Sequence, residues 1–303
     1  MGRFVFAAYN PPMSCPPWVA IQRNPMSGSG LRRPLLDFVR ALTRHGLQPR
    51  LFSDRARLDH SLAEPDRRAA LHALVAAGGD GTVLDVINRH PGVPIGIMPL
   101  GTENLLARQF GIPRDGAQAA AIIATGHTTP LDLGQVGQRR FAIMVSAGFD
   151  AAVIHALHAA RTGPIRHSHY LRPIWHSLRN FPHPELRVHV NDAAQPVTGR
   201  LVVAANLASY ALGLPIVPTA RGDDGLLDVR VFQRGSTFQL LRYLYMVTRR
   251  RHDDLEDVVC LRCRKLRIES DNAVPVQADG DPVGTTPCEV TVQPDAAQLF
   301  VPA

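Results

Sequence analysis

The chain has 303 residues, is 45% apolar and carries a net charge of +7 with four cysteines. That length gives a prior of about two domains; no run approaches the roughly 18 apolar residues of a membrane span, and four cysteines in such a chain are not a disulfide framework. Lys265 is the only lysine, which excludes a P-loop (it lacks Gly-Lys-Ser/Thr) and a protein-kinase fold that needs a strand lysine, so any bound phosphate must be held by backbone amides, arginine and metal.

Residues 1–16 are proline-rich and read as a loose arm. No small-residue cleavage site follows Met1–Ala8, so this arm is not read as a signal peptide, and a cytoplasmic location is expected. Trp18–Ile21 is a first strand, followed by the turn-rich loop from Arg23 to Gly30. Leu31, Leu35, Phe38, Val39 and Leu42 recur at helical spacing, and Gly46 ends that helix. Pro49–Phe52 is a second strand with Ser53 at its carboxyl end. Leu71–Ala77 reads as the end of a helix feeding a short buried strand. Gly78-Gly79-Asp80-Gly81-Thr82 follows, and Val83–Asn88 reads as the first turns of a helix. Val93–Pro99 is a further strand, ending in Leu100-Gly101-Thr102-Glu103-Asn104, with a helix from Leu105 to Phe110. Strands alternating with helices argue for a parallel α/β sheet. The loops at Asn24, Ser53, Gly78 and Gly101 each follow a strand and gather at its carboxyl edge, where such sheets bind ligands.

After about residue 130 the pattern changes to short alternating stretches. Phe141–Val145, Leu186–Val190, Arg200–Ala204, Leu227–Phe232, Lys265–Glu269 and Glu289–Val292 read as antiparallel strands. Two helical segments, near Ala151–Arg179 and Thr237–Arg251, interrupt them. The expected organisation is an α/β domain over residues 17–130 and a β-sandwich over 131–303, the last strand returning to the first domain.

Strand, glycine-rich turn and helix present N–H groups to an anion. Asp80 in the middle of that turn is unusual. A carboxylate beside phosphate is repulsive unless a cation lies between, so Asp80 suggests Mg²⁺-linked phosphate chemistry rather than a core role. An ordinary tight turn is the competing reading.

Taken together, Asn24-Pro25…Ser27-Gly28, Gly78-Gly79-Asp80-Gly81-Thr82 and Pro99-Leu100-Gly101-Thr102-Glu103-Asn104 resemble the diacylglycerol kinase catalytic family. This family includes bacterial lipid kinases and the sphingosine and ceramide kinases. The likeness continues through Ser146-Ala147-Gly148-Phe149-Asp150, Asp223-Asp224-Gly225 and Asp279-Gly280-Asp281. It implies an α/β nucleotide domain on a β-sandwich, ATP and Mg²⁺ as cofactors, and γ-phosphoryl transfer to a lipid hydroxyl. By position, it implies nucleotide contacts at Asn24, Ser53, Gly78, Gly79, Asp80, Gly81, Thr82, Val83, Leu84, Asp85, Gly101, Thr102, Glu103 and Asn104. Asp132 would join the same electrostatic network. Asp224, with the carbonyls of Arg221 and Leu226, would form a second, structural Mg²⁺ site; an Asp-Gly turn is the competing reading. Asp281 stands where the family has a glutamate proposed as general base, and Asp279 is its rival. If Gly280 were extended, the two carboxylates would point to opposite faces. Many relatives have an aspartate where this chain has Leu105, and Glu103 is the candidate to replace it.

His155 and His158 share a helical face but lack a carboxylate at ligand spacing, so solvated or core histidines are expected. Cys260 and Cys263 form an unpaired CxxC. Arg161–Arg179 interleaves basic and apolar residues and reads either as a membrane-facing segment or as a packed helix with a basic face. The positive charge favours a polyanionic partner, and with no nucleic-acid motif that partner is an anionic membrane contacted peripherally. A homodimer stays open. So do two other functions: phosphorylation of a soluble hydroxyl, as in the NAD kinases that share the Gly-Gly-Asp-Gly turn, and non-catalytic nucleotide binding.

Overall fold

The computed structural model describes residues 17–23, 32–159, 179, 181–191, 193–208 and 213–303. The proline-rich arm, the Asn24 loop and the stretch from Arg161 to Leu178 lie outside the described residues.

Strands β1 (Trp18–Arg23), β2 (Gln48–Phe52), β3 (Leu71–Gly78) and β4 (Ile95–Pro99) run parallel in the order β2-β1-β3-β4. Helices cover both faces, so alternate residues of a strand enter different cores. Val19 and Ile21 face α1 (Arg32–Arg44) and α6 (Gly116–Thr125), against Phe38, Leu42, Ala120 and Ile123. Trp18 and Ala20 face the other core with Leu58 and Leu62 of α2 (Arg55–Ala63) and Val83, Leu84 and Ile87 of α4 (Asp80–Arg89). Short helices α3 (Pro65–Ala69) and α5 (Leu105–Gln109) complete this half. Leu71–Ala77 is strand throughout, not the end of a helix. A run buried on both faces has no period to distinguish the two.

The second half holds β5 (Thr128–Val136), β6 (Arg139–Phe141), β7 (Met144–Ala147), α7 (Phe149–Ala159), β8 (Leu186–Val190), β9 (Val197–Gly199), β10 (Leu201–Ala205), β11 (Leu227–Phe232) and α8 (Thr237–Thr248). It ends with β12 (Val258–Cys263), β13 (Lys265–Glu269), β14 (Pro275–Ala278), β15 (Asp281–Thr285) and β16 (Cys288–Phe300). A six-stranded antiparallel sheet, β12-β11-β10-β7-β14-β15, packs Val202, Val229, Val231 and Val276 against Val188, Leu266, Ile268 and Val290 of the opposing sheet.

Strand β16 is the seam. Its first residues pair antiparallel with β13, and most of its length pairs with β5. Near its end Leu299 pairs parallel with Ile95 of β4. One ten-stranded sheet therefore runs through both halves. Helix α4 adds a second tie. Asn88 Nδ2 donates to the Arg140 carbonyl at 3.0 Å, and the Arg140 N–H returns a bond to Asn88 Oδ1 at 3.0 Å. The Arg140 guanidinium caps the carbonyls of Ile87 and Asn88 at the helix carboxyl end, where a cation meets the negative pole of the dipole.

The stretch expected as one strand from Phe141 to Val145 is broken. β6 ends at Phe141 and β7 begins at Met144. The break frees backbone N–H groups that a distant carboxylate uses.

Candidate active site

The loop after β3 and the loop after β4 are docked on each other at the carboxyl edge of the parallel sheet. Leu100 N–H donates to the Gly78 carbonyl at 2.9 Å. A Cβ on Gly101 would lie 2.4 Å from Gly79 Cα, so the two backbones meet where no side chain fits. Asn104 is left-handed (φ 50°), and its amide closes a ring on Gly101, accepting its N–H and donating to its carbonyl, both at 2.9 Å. Arg114 donates to the carbonyls of Gly101 (3.1 Å) and Thr102 (2.7 Å) from outside.

Asp80 joins the two loops. Its carboxylate accepts the N–H groups of Leu105 and Leu106, each at 3.0 Å. It thus supplies the cap that α5 lacks, because Asn104 makes no side-chain cap bond. The sequence expected Asp80 to act on metal-bound phosphate alone; the structure gives it this structural bond as well. The N-terminus of α4 has no side-chain cap either. The N–H groups of Gly79, Asp80 and Gly81 find no acceptor among the described residues, and a Cβ on Gly81 would meet open space. That terminus suits an anion. Thr82 Oγ1 is buried against Gly78 without a hydrogen-bond partner.

The other expected nucleotide contacts divide. Ser53 is exposed at the end of β2, beside a cavity of about 400 Å³ shared with Leu51, Phe52, Asp54 and Arg57. Asp85 lies on α4 beyond the turn, accepting from Gln22 at 2.5 Å and Arg89 at 2.9 Å, with Arg55 at 3.2 Å. The side chains of Val83 and Leu84, in the first turns of α4, are buried in the core. Glu103 is half-buried and Thr102 exposed. Asn24 lies outside the described residues.

The third component comes from the sandwich. Asp279 (φ 49°) and Gly280 (φ 83°) form a two-residue turn between β14 and β15, with Ala278 paired to Asp281. Both residues have positive φ, as a tight hairpin of this hand requires. The turn is therefore not the extended strand considered from sequence. Asp279 Oδ2 accepts Ala142 N–H at 2.6 Å; Oδ1 accepts Ile143 N–H at 3.0 Å and Met144 N–H at 2.8 Å. These are the groups freed by the break between β6 and β7. Burial pushes the Asp279 carboxyl up to about 7; the three N–H bonds hold part of that back, and the charge of Asp80 adds to it. Asp281 turns elsewhere, pairing with Arg139 and standing 3.5 Å from His158 Nε2, and its side chain stays one-third exposed.

Several further residues support the hairpin. Gln277 accepts Gly280 N–H at 2.9 Å and donates to Ser146 Oγ at 2.7 Å; Ser146 in turn donates to Asp150. Burial raises the Asp150 pKa. His155 and His158 bond the carbonyls of Val276 (2.9 Å) and Gly280 (3.1 Å), so both are packing histidines on the face of α7. Asn206, fully buried, donates to the carbonyls of Asp132 (2.7 Å) and Ala142 (2.9 Å).

The expected metal residues do not gather through their side chains. Among the described residues no three His, Cys, Asp or Glu side chains converge. Asp132 is buried, and its two oxygens accept the N–H groups of Gly225 (2.6 Å) and Asp295 (2.9 Å), which makes it a tie between segments. Asp224 accepts Leu226 N–H at 3.1 Å, and its other oxygen carries the Arg262 guanidinium. Arg221 pairs with Asp223 at 3.3 Å. The Arg262 guanidinium thus pairs with the carboxylate that the expected Mg²⁺ site would use. At Asp80 a cation fits only together with phosphate oxygens and water, because each carboxylate oxygen already accepts one N–H. Cys260 is exposed and Cys263 buried on β12, so the CxxC does not converge on one face.

Residues 19–136 match the family described as "Diacylglycerol kinase catalytic domain", and residues 143–301 match "YegS C-terminal NAD kinase beta sandwich-like domain". A diacylglycerol kinase of Mycobacterium tuberculosis (strain ATCC 25618 / H37Rv) is 32% identical over 309 residues, covering 91% of this chain and 99% of its own. A diacylglycerol kinase of Staphylococcus aureus (strain Newman) is 25% identical over 285 residues, covering 92% and 90%. The crystal structure of a diacylglycerol kinase from Bacillus anthracis str. Sterne superposes with a TM-score of 0.68 at 18% identity, covering 96% of this chain and 98% of that one.

Proposed function

Because the chain belongs to the diacylglycerol kinase family, we propose that it transfers the γ-phosphoryl group of ATP to the hydroxyl of a lipid. The observation that carries this reading is the docking of the Gly78–Gly81 turn on the Leu100–Asn104 loop, which leaves the uncapped terminus of α4 at the carboxyl edge of the sheet. The amides of Gly79, Asp80 and Gly81 hold phosphate oxygens, with Ser53, Gly101 and Thr102 at the rim of the same edge. Asp80 would help to hold Mg²⁺, and the ion would supply charge neutralisation on the phosphates. The domains of the reading are 17–130 for nucleotide and 131–303 for lipid.

The acceptor hydroxyl loses its proton to Asp281 as its oxygen bonds to the γ-phosphorus. The bond to the bridging oxygen breaks, and ADP leaves. Asp281 is the better base because its carboxylate is partly exposed, whereas Asp279 spends its oxygens on three backbone N–H groups. The test is phosphate transfer from radiolabelled ATP to a panel of lipids in mixed micelles, with NAD as a soluble control. Labelling of a lipid and not of NAD is expected. Labelling of NAD alone would replace the reading with an NAD-kinase-like one, and ATP binding without labelling with a regulatory one.

A further inference from the structure

Helix α8 is apolar on both faces although it lies on the surface. Leu240, Tyr243 and Val247 are buried against the sandwich. Tyr243 OH donates to Asp257 at 2.9 Å, its ring packs 4.8 Å from that of Phe232, and Arg242 also donates to Asp257 at 2.8 Å. These contacts clamp the helix and fix which face looks out. The outward arc carries Phe238 (72% exposed), Leu241 (52%), Leu244 (47%) and Tyr245 (61%). They are four of the six large exposed apolar side chains among the described residues, so the exposure is concentrated rather than scattered. A surface helix of a globular domain has a polar outer face; this one has only Thr237 and Thr248 there.

The charge around the arc selects its partner. Helix α8 contains no acidic residue. Arg249, Arg250 and Arg251 follow it directly, all exposed. Arg251 pairs with Asp254 at 3.1 Å, while Arg249 and Arg250 have no ion pair among the described residues. A second copy of this chain would bring the same cations onto the same face in a symmetric contact, on a protein already at +7. Lipid phosphates complement those cations. No helix among the described residues is long and apolar enough to cross a membrane, so the apolar arc inserts only to the depth of the headgroups.

We infer that the outer face of α8 docks on the surface of an anionic bilayer, with Phe238, Leu241, Leu244 and Tyr245 in the interface and Arg249 and Arg250 on lipid phosphates. Its use rests on the lipid-kinase reading, since it brings the enzyme to a membrane-resident acceptor. The experiment is co-flotation of the full chain, without nucleotide, with phosphatidylcholine vesicles that do or do not contain phosphatidylglycerol. The wild type floats with the phosphatidylglycerol vesicles. The triple variant Phe238→Ser/Leu241→Ser/Tyr245→Ser partitions at least about tenfold less. Arg249→Gln/Arg250→Gln binds about fivefold less per arginine at low salt, a difference that closes at high salt. Both variants keep the wild-type melting temperature and the rate on a water-soluble short-chain diacylglycerol. Should the triple variant not fold, the arginine variant decides. Failure of the wild type to float, undiminished binding by the variants, or a wild-type dimer that the triple variant dissolves, each overturns the inference. Lost vesicle binding with short-chain turnover intact removes only the docking face; vesicle binding with no lipid phosphorylated removes only the kinase reading.

Discussion

Asp80 accepts the backbone N–H of Leu105 at 3.0 Å, so the carboxylate of one phosphate-edge loop caps the helix that follows the other. The same carboxylate takes Leu106 N–H at 3.0 Å. Asp80→Ala therefore leaves two amides of a short helix without a partner. It is expected to lower stability by about 1–2 kcal/mol and to abolish turnover, both read from one preparation by thermal melts and ATP turnover. A variant with a wild-type melting temperature would mean that the cap contributes nothing; near-normal turnover would mean that Asp80 is no part of the phosphate site.

Gly101→Ala tests the docking of the two loops. Its Cβ would come within 2.4 Å of Gly79 Cα and 2.8 Å of Asn104 Oδ1. Backbone cannot swing aside as a flexible side chain does, so a loss of about 1–3 kcal/mol is expected. ATP affinity should fall with it, measured by titration calorimetry. Gly81→Ala, where the Cβ meets open space, should melt normally and lose only nucleotide affinity.

The base assignment separates two carboxylates of one hairpin. Asp281→Asn is expected to bind ATP normally and to lose lipid phosphorylation by roughly 10²-fold or more; Asp281→Glu should retain activity. Asp279→Asn should instead destabilise the fold, because its amide N–H₂ would face the donors of Ala142, Ile143 and Met144. An active Asp281→Asn beside a stable but dead Asp279→Asn that still binds ATP would reverse the roles.

Asp279 also sets a pH dependence. Its carboxyl is pushed from 3.8 to about 7 by burial, with the Asp80 charge adding to the shift. Folding thus favours the protonated form. The stability it contributes is full below about pH 4 and is lost as pH rises through about 7. Asp253 and Asp257 run the other way: burial raises each, Arg230 and Arg242 outweigh it, and both end lowered. Those two are common to the wild type and Asp279→Asn, so the difference between the two proteins isolates Asp279. That difference in melting temperature should shrink between pH 4 and pH 7; a constant difference would show that Asp279 is ionised throughout.

Arg262 and Asp224 predict indifference to chelation. With the guanidinium on the carboxylate, the nucleotide-free wild type should melt at the same temperature with EDTA and with Mg²⁺. Arg262 is about half exposed and also reaches Asp228 at 3.2 Å. Losing its pair with Asp224 should thus cost little. Arg262→Ser frees Asp224 and should acquire stabilisation by Mg²⁺. A wild type that loses melting temperature on chelation would restore the metal at this loop.

Much of this protein is written locally. The alternation of Trp18, Val19, Ala20 and Ile21 between two cores, the glycines at 78–81 and 101, and the change to short alternating strands near residue 130 are consequences of side-chain period and backbone freedom, which act over a few residues. Together they determine the parallel sheet, the carboxyl-edge loops, the sandwich and the family. Local signals cannot say which groups a polar side chain meets. Asp80, Asp132, Asp224 and Asp279 all read as candidates for metal or catalysis, yet the fold gives each a partner from a distant segment: α5 amides, the N–H groups of Gly225 and Asp295, the Arg262 guanidinium, and the break between β6 and β7. Val83 and Leu84 lie in a phosphate-loop motif, yet helix geometry turns both into the core. A carboxylate takes its role from the donors and charges within a few ångströms, and only tertiary structure brings Ala142 to Asp279 or Leu105 to Asp80.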